Sequence, residues 1–226
     1  MSFSAFDIIG PVMVGPSSSH TAGAARIGLA ARAILGLQPV RVKVQLHGSF
    51  AATGKGHATD RALAAGLLGF APDDDRLKDS LRLAEDAGIA ISFSETDLGE
   101  DCHPNAARLT VESSEGKSHR IIGWSVGGGS ILVREIDGFD TRLAGELATL
   151  VLWHKDLTGY LAKVTTLYDC AGVNIATIRL SRTARGNTAL TTIEADAPLP
   201  EAALSLIGGL VATRDLRAIP PLDSWI

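Results

Sequence analysis

The alternation of hydrophobic and polar residues divides the first half of the chain into short strands and helices. Val40, Val42, Val44 and Leu46 alternate with polar residues, a period of two that is typical of a strand with one buried face. Stretches rich in alanine and leucine predict helices over 22–35, 58–68 and 75–87. Further short strands are predicted over 89–93, 106–112, 120–126 and 131–136.

From about residue 147 the order of elements changes to strand, helix, strand, strand, helix, strand. These are predicted over 147–154, 159–171, 173–181, 188–194, 200–208 and 210–219. A hairpin turn at Arg185-Gly186-Asn187 joins the middle strands. Such a βαββαβ order describes a ferredoxin-like unit, with two helices on one face of an antiparallel sheet. We therefore predict an α/β (α+β) protein with two domains, residues 1–145 and 146–226.

Composition and charge exclude several kinds of partner. Of the 226 residues, 46% are hydrophobic and 20% are charged, with a formal net charge of −4, which is typical of a globular protein. Lys and Arg are spread along the chain, without the basic stripe that nucleic acid or an anionic membrane requires. The first ten residues lack the Lys or Arg of a signal peptide, and no apolar stretch approaches the ~20 residues that span a bilayer. We expect a cytoplasmic protein with no nucleic-acid or membrane partner.

The two cysteines limit the metal chemistry of the chain. Cys102 and Cys170 are far apart in sequence, so neither a disulfide framework nor a CxxC site is predicted, and a reducing compartment is favoured. Common iron–sulfur clusters take about four cysteine thiolates, more than this chain possesses. A zinc site at Cys102 and His103 is a weak alternative, because these residues are adjacent and lack spaced partners to complete a tetrahedron. We expect no metal ligands on this chain.

The segment Gly15–Thr21 (GPSSSHT), which we call the hydroxyl loop, places four hydroxyl groups and one imidazole at a predicted helix start. Helix N-termini present unpaired N–H groups and partial positive charge, so such a loop can hold a carboxylate or a phosphate. A redundant N-cap is the alternative, although one hydroxyl suffices for capping. The composition of the loop favours a binding function.

A second candidate, residues 53–57 (TGKGH), joins the predicted strand over 40–46 to the next helix. It does not match a Walker phosphate loop, because Gly48 is one position too early and Gly56 follows Lys55. What remains is a cationic loop with His57 at a helix start, where a neutral imidazole can act as a base. A surface turn with a capping histidine is the alternative.

The third candidate is Cys102-His103-Pro104-Asn105, for which a capped turn is the ordinary explanation. The remaining histidines, His47, His119 and His154, are expected to be structural or solvated. Three serines beside a histidine do not by themselves indicate a hydrolase triad.

Together these segments resemble a known family. Residues 6–11 (FDIIGP), the hydroxyl loop, residues 53–60 (TGKGHATD) and the His103-Pro104-Asn105 segment closely resemble the beta chain of bacterial iron–sulfur-dependent L-serine dehydratases, over essentially the whole length. The second half resembles an ACT domain, with Asp156 and Gly159 in the loop where such domains commonly bind amino acids. The first half is also similar to the allosteric substrate-binding domain of some phosphoglycerate dehydrogenases.

The resemblance implies a reaction of amino-acid degradation, in which L-serine loses water and then ammonia to give pyruvate. It places a 4Fe–4S cluster, acting as Lewis acid toward the β-hydroxyl, on a partner alpha subunit and not on this chain. The chain alone is then expected to be inactive. Threonine is conceivable as a slower substrate, because excluding one methyl group contributes only about 1–3 kcal/mol.

The resemblance also assigns roles to residues. His57 is expected to be the base that removes the α-proton, with His20 as the runner-up. The substrate-binding residues implied are Ser17, Ser18, Ser19, Thr21, Lys55, His103 and Asn105. A homodimer through the ACT domain is expected, because such domains often pair. The alternative function is a non-catalytic, amino-acid-sensing regulatory subunit, which needs to bind a carboxylate but has no need of a base.

Overall fold

A computed structural model describes residues 12–222 of the chain. They form two compact units that divide between Asp137 and Gly138. Both units contain helices and a sheet, which confirms the predicted α+β class. The predicted boundary near residue 145 concerns how far each domain extends by its resemblance to a known family, which the division into compact units does not test. That boundary stays a prediction. Over the described range, no helix combines the length and the apolar character needed to cross a lipid bilayer.

The first unit places its helices against one sheet. A π-helical segment (Ser18–Gly23) and a 3₁₀ segment (Asp75–Asp79) accompany the helices α1 (Ala24–Leu35), α2 (Gly48–Thr53), α3 (Thr59–Leu68) and α4 (Ser80–Asp86). The strands are β1 (Pro39–His47), β2 (Ala90–Glu95), β3 (Asn105–Ser113), β4 (Ser118–Gly127) and β5 (Ser130–Ile136). Their spatial order is β2-β1-β3-β4-β5, with β1 and β2 parallel and the other neighbours antiparallel. All five predicted strands are therefore confirmed.

Helix α2 lies between β1 and α3, where the sequence predicted only a loop that contains glycines. Gly48 adopts a φ of 56°, and a side chain there would lie 2.6 Å from the carbonyl oxygen of Pro104. Glycine is thus required for the close approach of two backbones. Ser49 then donates its N–H to the same oxygen at 2.8 Å, which begins the helix. The prediction was wrong because the glycines at 48 and 54 flank a short helix rather than disrupt it.

Helices α1 and α3 touch through glycines. A Cβ atom at Gly28 would lie 2.4 Å from the carbonyl oxygen of Leu63, and one at Gly66 would lie 2.0 Å from that of Ala25. These distances are far below van der Waals contact, so the helix backbones touch directly. The predicted helices over 22–35 and 58–68 are confirmed, except that the first turn of the former is π-helical.

Two hydrogen bonds show that α1 and α3 run in the same direction. Where the helices begin, the Thr21 hydroxyl donates to the carbonyl oxygen of His57 at 3.1 Å. Where they end, the Arg32 guanidinium donates to that of Leu67 at 2.8 Å. The hydroxyl loop and the loop that contains His57 therefore meet at one end of the helix pair.

The second unit has the predicted βαββαβ order. After β6 (Phe139–Leu143) come β7 (Ala148–Lys155), α5 (Tyr160–Cys170), β8 (Ile175–Arg182), β9 (Thr188–Ala195), α6 (Glu201–Gly208) and β10 (Thr213–Ile219). The last four strands form an antiparallel sheet in the order β10-β7-β9-β8. Strand β6 was not among the predicted strands, because it is short and glycines flank it.

Both helices of the second unit contribute to its buried core. The core combines Leu150, Leu152 and Ile193 of the sheet with Tyr160, Val164, Tyr168, Ala203 and Ile207 of the helices. His154 is also buried, and its Nε2 accepts a hydrogen bond from the Thr191 hydroxyl at 2.8 Å. Burial lowers the pKa of His154, so this histidine is neutral and structural, as expected.

We predict that Gly66→Ala destabilises the protein, although alanine is the better helix former. The added Cβ would collide with backbone atoms of α1, and overpacking of this kind costs about 1–3 kcal/mol. The free energy of unfolding from urea titration measures the effect.

Gly208→Ala in α6 is the matched control, because the nearest atom to its added Cβ is a flexible methyl of Leu216 at 3.2 Å. It should unfold at the wild-type urea concentration or slightly above it. Equal stability of the two variants would contradict the backbone contact between α1 and α3.

Candidate active site

The hydroxyl loop is folded by its own backbone contacts. A side chain at Gly15, whose φ is 131°, would lie 2.6 Å from the Thr21 methyl group, so the loop curls tightly over Thr21. Ser17 caps the π-helical segment, and its hydroxyl accepts a hydrogen bond from the backbone N–H of His20 at 3.1 Å. The Ser17 and Ser19 hydroxyl oxygens are 3.4 Å apart. Short π-helical segments occur often at functional sites.

Thr21 connects the hydroxyl loop to the His57 loop. The residue is fully buried, and its hydroxyl proton goes to the carbonyl oxygen of His57. In this structure the Thr21 hydroxyl therefore fixes one loop against the other. Its predicted contact with a substrate carboxylate stays a prediction.

His20 lies at the centre of a set of polar groups. Its Nδ1 is 3.3 Å from the Ser19 hydroxyl, and its Nε2 is 3.1 Å from both the Ser49 and Thr53 hydroxyls. The edge of its ring faces Phe50, with centroids 5.2 Å apart. Burial and the neighbouring His57 lower the pKa of His20, and a backbone contact with Ser49 partly offsets this. His20 is therefore a neutral imidazole at pH 7.

His57 lies beside His20, with 4.9 Å between the ring centroids. Its Nδ1 is 3.1 Å from the backbone carbonyl oxygen of Thr53. A carbonyl oxygen can only accept a hydrogen bond, so Nδ1 carries the proton. In the neutral ring the lone pair is then on Nε2, which gives His57 the geometry of a base.

Lys55 lies two residues before His57, on the exposed turn after α2. It lines a groove together with Phe50, Asp60, Phe93 and Glu95. The groove thus combines an apolar floor with one cation and two carboxylates. Lys55 is available to a ligand from solvent.

The segment around His103 adjoins the start of α2. Asn105 forms a bridge with Gly48, and its side-chain oxygen is buried without a hydrogen-bond partner among the described residues. The His103 Nδ1 accepts the Asn105 N–H at 3.1 Å, and burial lowers the pKa of His103. A buried acceptor without a partner is costly, so the Asn105 amide oxygen is a group that a ligand or a water molecule can satisfy.

The structure therefore joins part of the predicted site into one network and leaves the rest beside it. Side-chain and backbone contacts connect Ser17, Ser19, His20, Thr21 and His57. Ser18 begins the π-helical segment, whereas Lys55, His103 and Asn105 lie on adjoining elements.

Sequence reasoning missed Ser49 and Thr53, both of which contact His20. Their spacing of four residues places them on one side of a helix, but this spacing is informative only once α2 is known to form. It was overlooked because the segment was predicted to be a loop.

The predicted effector residues lie in the second unit. The Asp156 carboxylate accepts hydrogen bonds from the Gly186 N–H at 3.0 Å and the Arg182 guanidinium at 2.8 Å, and both contacts lower the pKa of Asp156. Asp156 thus ties the loop after β7 to the β8–β9 hairpin. Gly159, with a φ of 79°, precedes α5. Their binding of an effector stays a prediction.

The donor set of this chain does not fit a 4Fe–4S cluster. Cys102 and Cys170 are both free thiols, and they belong to different units. Within residues 12–222, no three His, Cys, Asp or Glu side chains come together as metal ligands. Burial raises the pKa of the Cys102 thiol, which opposes the thiolate form that a metal needs.

Comparison with known proteins identifies relatives of the chain. The family described as "Serine dehydratase beta chain" matches residues 4–136. Residues 6–11, which contribute to the sequence resemblance, lie within this match but outside the described residues. The match covers more than half of the chain and includes every predicted site residue of the first unit.

Two individual relatives cover more of the chain than this match does. "L-serine dehydratase, beta chain" of Peptoniphilus asaccharolyticus is 42% identical over 92% of this chain and 94% of its own length. "Probable L-serine dehydratase, beta chain" of Bacillus subtilis is 45% identical over 85% of this chain and 87% of its own length. "L-serine dehydratase 2" of Escherichia coli is 32% identical over 58% of this chain, but only 34% of its own length. The chain therefore belongs to the serine dehydratase beta chain family, as the resemblance predicted.

Proposed function

We propose that this chain is the beta subunit of an L-serine dehydratase, which completes an active site with an alpha subunit and converts L-serine to pyruvate and ammonia. The supporting observation is the pair of imidazoles, with ring centroids 4.9 Å apart, beside the hydroxyl loop. A binding loop alone would suit a sensor. A base with an available lone pair suits proton removal.

The substrate carboxylate is assigned to the hydroxyl loop. Ser17, Ser18 and Ser19 lie at the start of the π-helical segment that continues into α1, where backbone N–H groups and the helix dipole favour an anion. Lys55 adds a positive charge from the neighbouring turn. Thr21 is proposed to belong to the same site, where its hydroxyl holds the two loops together. His103 and Asn105 are proposed to contact the rest of the amino acid.

His57 is assigned as the base. Its Nε2 takes the α-proton of serine, the electron pair of that C–H bond forms the Cα–Cβ double bond, and the Cβ–O bond breaks. The proton held by His57 then passes to the departing hydroxide, which leaves as water, and the imidazole is free again. The resulting aminoacrylate tautomerises and is hydrolysed to pyruvate and ammonia. The thiols of this chain do not fit a cluster, so we assign the 4Fe–4S cluster, which would polarise the β-hydroxyl, to the alpha subunit. The chain alone is then inactive, and its free thiols suit the cytoplasm.

The second unit is assigned as an ACT domain that binds an amino acid near Asp156 and Gly159 and pairs with a second copy. The βαββαβ order supports this assignment. Strand β8 is an edge of its sheet, and Ile178 and Leu180 on it are 42% and 37% exposed. Exposed apolar side chains on an edge strand favour pairing with another strand.

We predict that His57→Gln lowers the rate of pyruvate formation by about 10²–10⁴, because a positioned base contributes that factor. The assay mixes the variant with alpha subunit that has been reconstituted anaerobically with its cluster. His20→Gln should also lower the rate, since His20 organises Ser19.

His119→Gln is the control. The His119 imidazole, at the start of β4, contacts Asp137, and its replacement should leave the rate unchanged. Full-rate pyruvate formation by both His57→Gln and His20→Gln would contradict the catalytic assignment. The amino-acid-sensing subunit would then be the better explanation.

Lys55→Ala is predicted to raise the KM for serine about tenfold, with a smaller change in kcat. The variant removes a charged partner of the substrate carboxylate, and a hydrogen bond to a charged group contributes about 1.5–3 kcal/mol. Lys117→Ala, in the exposed turn between β3 and β4, is the matched control. An unchanged KM in Lys55→Ala would exclude Lys55 from the binding site.

Sedimentation equilibrium tests the pairing. The isolated chain, whose mass is 23.6 kDa, should sediment as a dimer, and Ile178→Glu should sediment as a monomer because it places a charge on the paired edge. A monomeric wild-type chain would contradict this proposal.

A further inference from the structure

Thr53, the last residue of α2, contacts both histidines of the site. Its hydroxyl oxygen is 3.1 Å from His20 Nε2, and its backbone carbonyl oxygen is 3.1 Å from His57 Nδ1. One residue thus touches a different ring nitrogen on each imidazole. Whether each of these nitrogens carries a proton depends on which hydrogen bonds Thr53 can donate and accept.

The Thr53 hydroxyl has one proton, and it goes to the carbonyl oxygen of Ser49 at 2.9 Å, as is common for threonine in a helix. Towards His20 the same oxygen can therefore only accept. A proton on His20 Nε2 satisfies this acceptor, whereas an unprotonated Nε2 could accept only from the Ser49 hydroxyl, which is also 3.1 Å away. The lone pair of the neutral ring is then on Nδ1, where it accepts the Ser19 hydroxyl proton at 3.3 Å.

The opposite placement of the proton on His20 fits less well. With the proton on Nδ1, His20 Nε2 would be an acceptor facing the Thr53 oxygen, whose proton is used elsewhere. Two acceptors at 3.1 Å repel each other. His57 differs from His20, because the Thr53 carbonyl oxygen requires a proton on Nδ1 and leaves Nε2 unprotonated.

We propose that Thr53 is a positioning residue that holds His20 and His57 as opposite tautomers, which assigns them different tasks. The free nitrogen of His20 is committed to Ser19, so this ring organises the hydroxyl loop. The free nitrogen of His57 has no such partner among the described contacts and is left for the substrate. The catalytic part of this inference rests on the proposed function, whereas the tautomers themselves do not.

Long-range ¹H–¹⁵N spectra of the histidine-labelled 226-residue chain at pH 8 test the tautomers directly. His20 should show a protonated Nε2, and His57 should show a protonated Nδ1. His20→Gln and His57→Gln identify the two sets of signals. The same tautomer on both rings would overturn the proposal, whether or not the chain supports pyruvate formation.

Thr53→Val removes the hydroxyl but keeps the shape of the side chain and the backbone carbonyl. A net hydrogen bond changes an equilibrium by about twofold to tenfold, so the tautomer ratio of His20 should change by that factor while His57 stays as in the wild type. Thr53→Ser should restore His20. Unchanged His20 signals in Thr53→Val would overturn the role of Thr53.

Thr166→Val is the matched control, because Thr166 in α5 makes the same bond to the carbonyl oxygen four residues before it, at 2.8 Å, away from both histidines in sequence. It should leave both tautomers unchanged. With the alpha subunit present, Thr53→Val should lower kcat/KM for serine by the same factor as the measured fraction of His20 protonated on Nε2 falls, and Thr53→Ser should recover it. A shifted tautomer with an unchanged kcat/KM would overturn the catalytic part alone.

Discussion

The contact between α1 and α3 is possible only because glycine stands at positions 28 and 66, where any Cβ atom would lie within 2.4 Å of the facing backbone. Direct backbone contact along parallel helices fixes their starts beside each other. The hydroxyl loop precedes α1 and the His57 loop precedes α3, so the hydrogen bond from Thr21 to the His57 carbonyl oxygen follows from this packing. The site therefore depends on a contact between two helices to which no proposed catalytic residue contributes.

Much of the site is organised by hydrogen bonds that leave the donor of each bond unavailable for anything else. The Thr21 hydroxyl donates its proton to the backbone carbonyl oxygen of His57, and the Thr53 hydroxyl donates its proton to that of Ser49. With these protons committed, the ring nitrogens of His20 and His57 have defined roles before any substrate arrives. Such preorganisation is how an active site avoids the cost of reorientation during reaction.

The sequence predicts the elements better than it predicts the contacts within the site. Alternation in β1 and the βαββαβ order depend on local hydrophobic periodicity, and both are found. Helix α2 depends on the approach of Pro104 to Gly48, a contact across more than fifty residues that no local pattern reveals. Ser49 and Thr53 were missed for that reason, because their roles exist only once α2 has formed. The hydroxyl loop was recognisable from its composition, since more hydroxyls are present than capping requires.

The chain supplies proton chemistry without the means to hold a metal cluster, and this combination explains the character of its site. Imidazoles and hydroxyls suit the removal of an α-proton, whereas expulsion of a hydroxyl group from serine needs an electrophile that two free thiols do not provide. Thr53 and Lys55 are both exposed, so the residue proposed to position the histidines and the cation proposed for the substrate carboxylate both border the surface. An open network of this kind can be completed from outside, by substrate and by the subunit that carries the electrophile. Under the proposed function, half of an elimination reaction is prepared on this chain, and the other half comes from the alpha subunit.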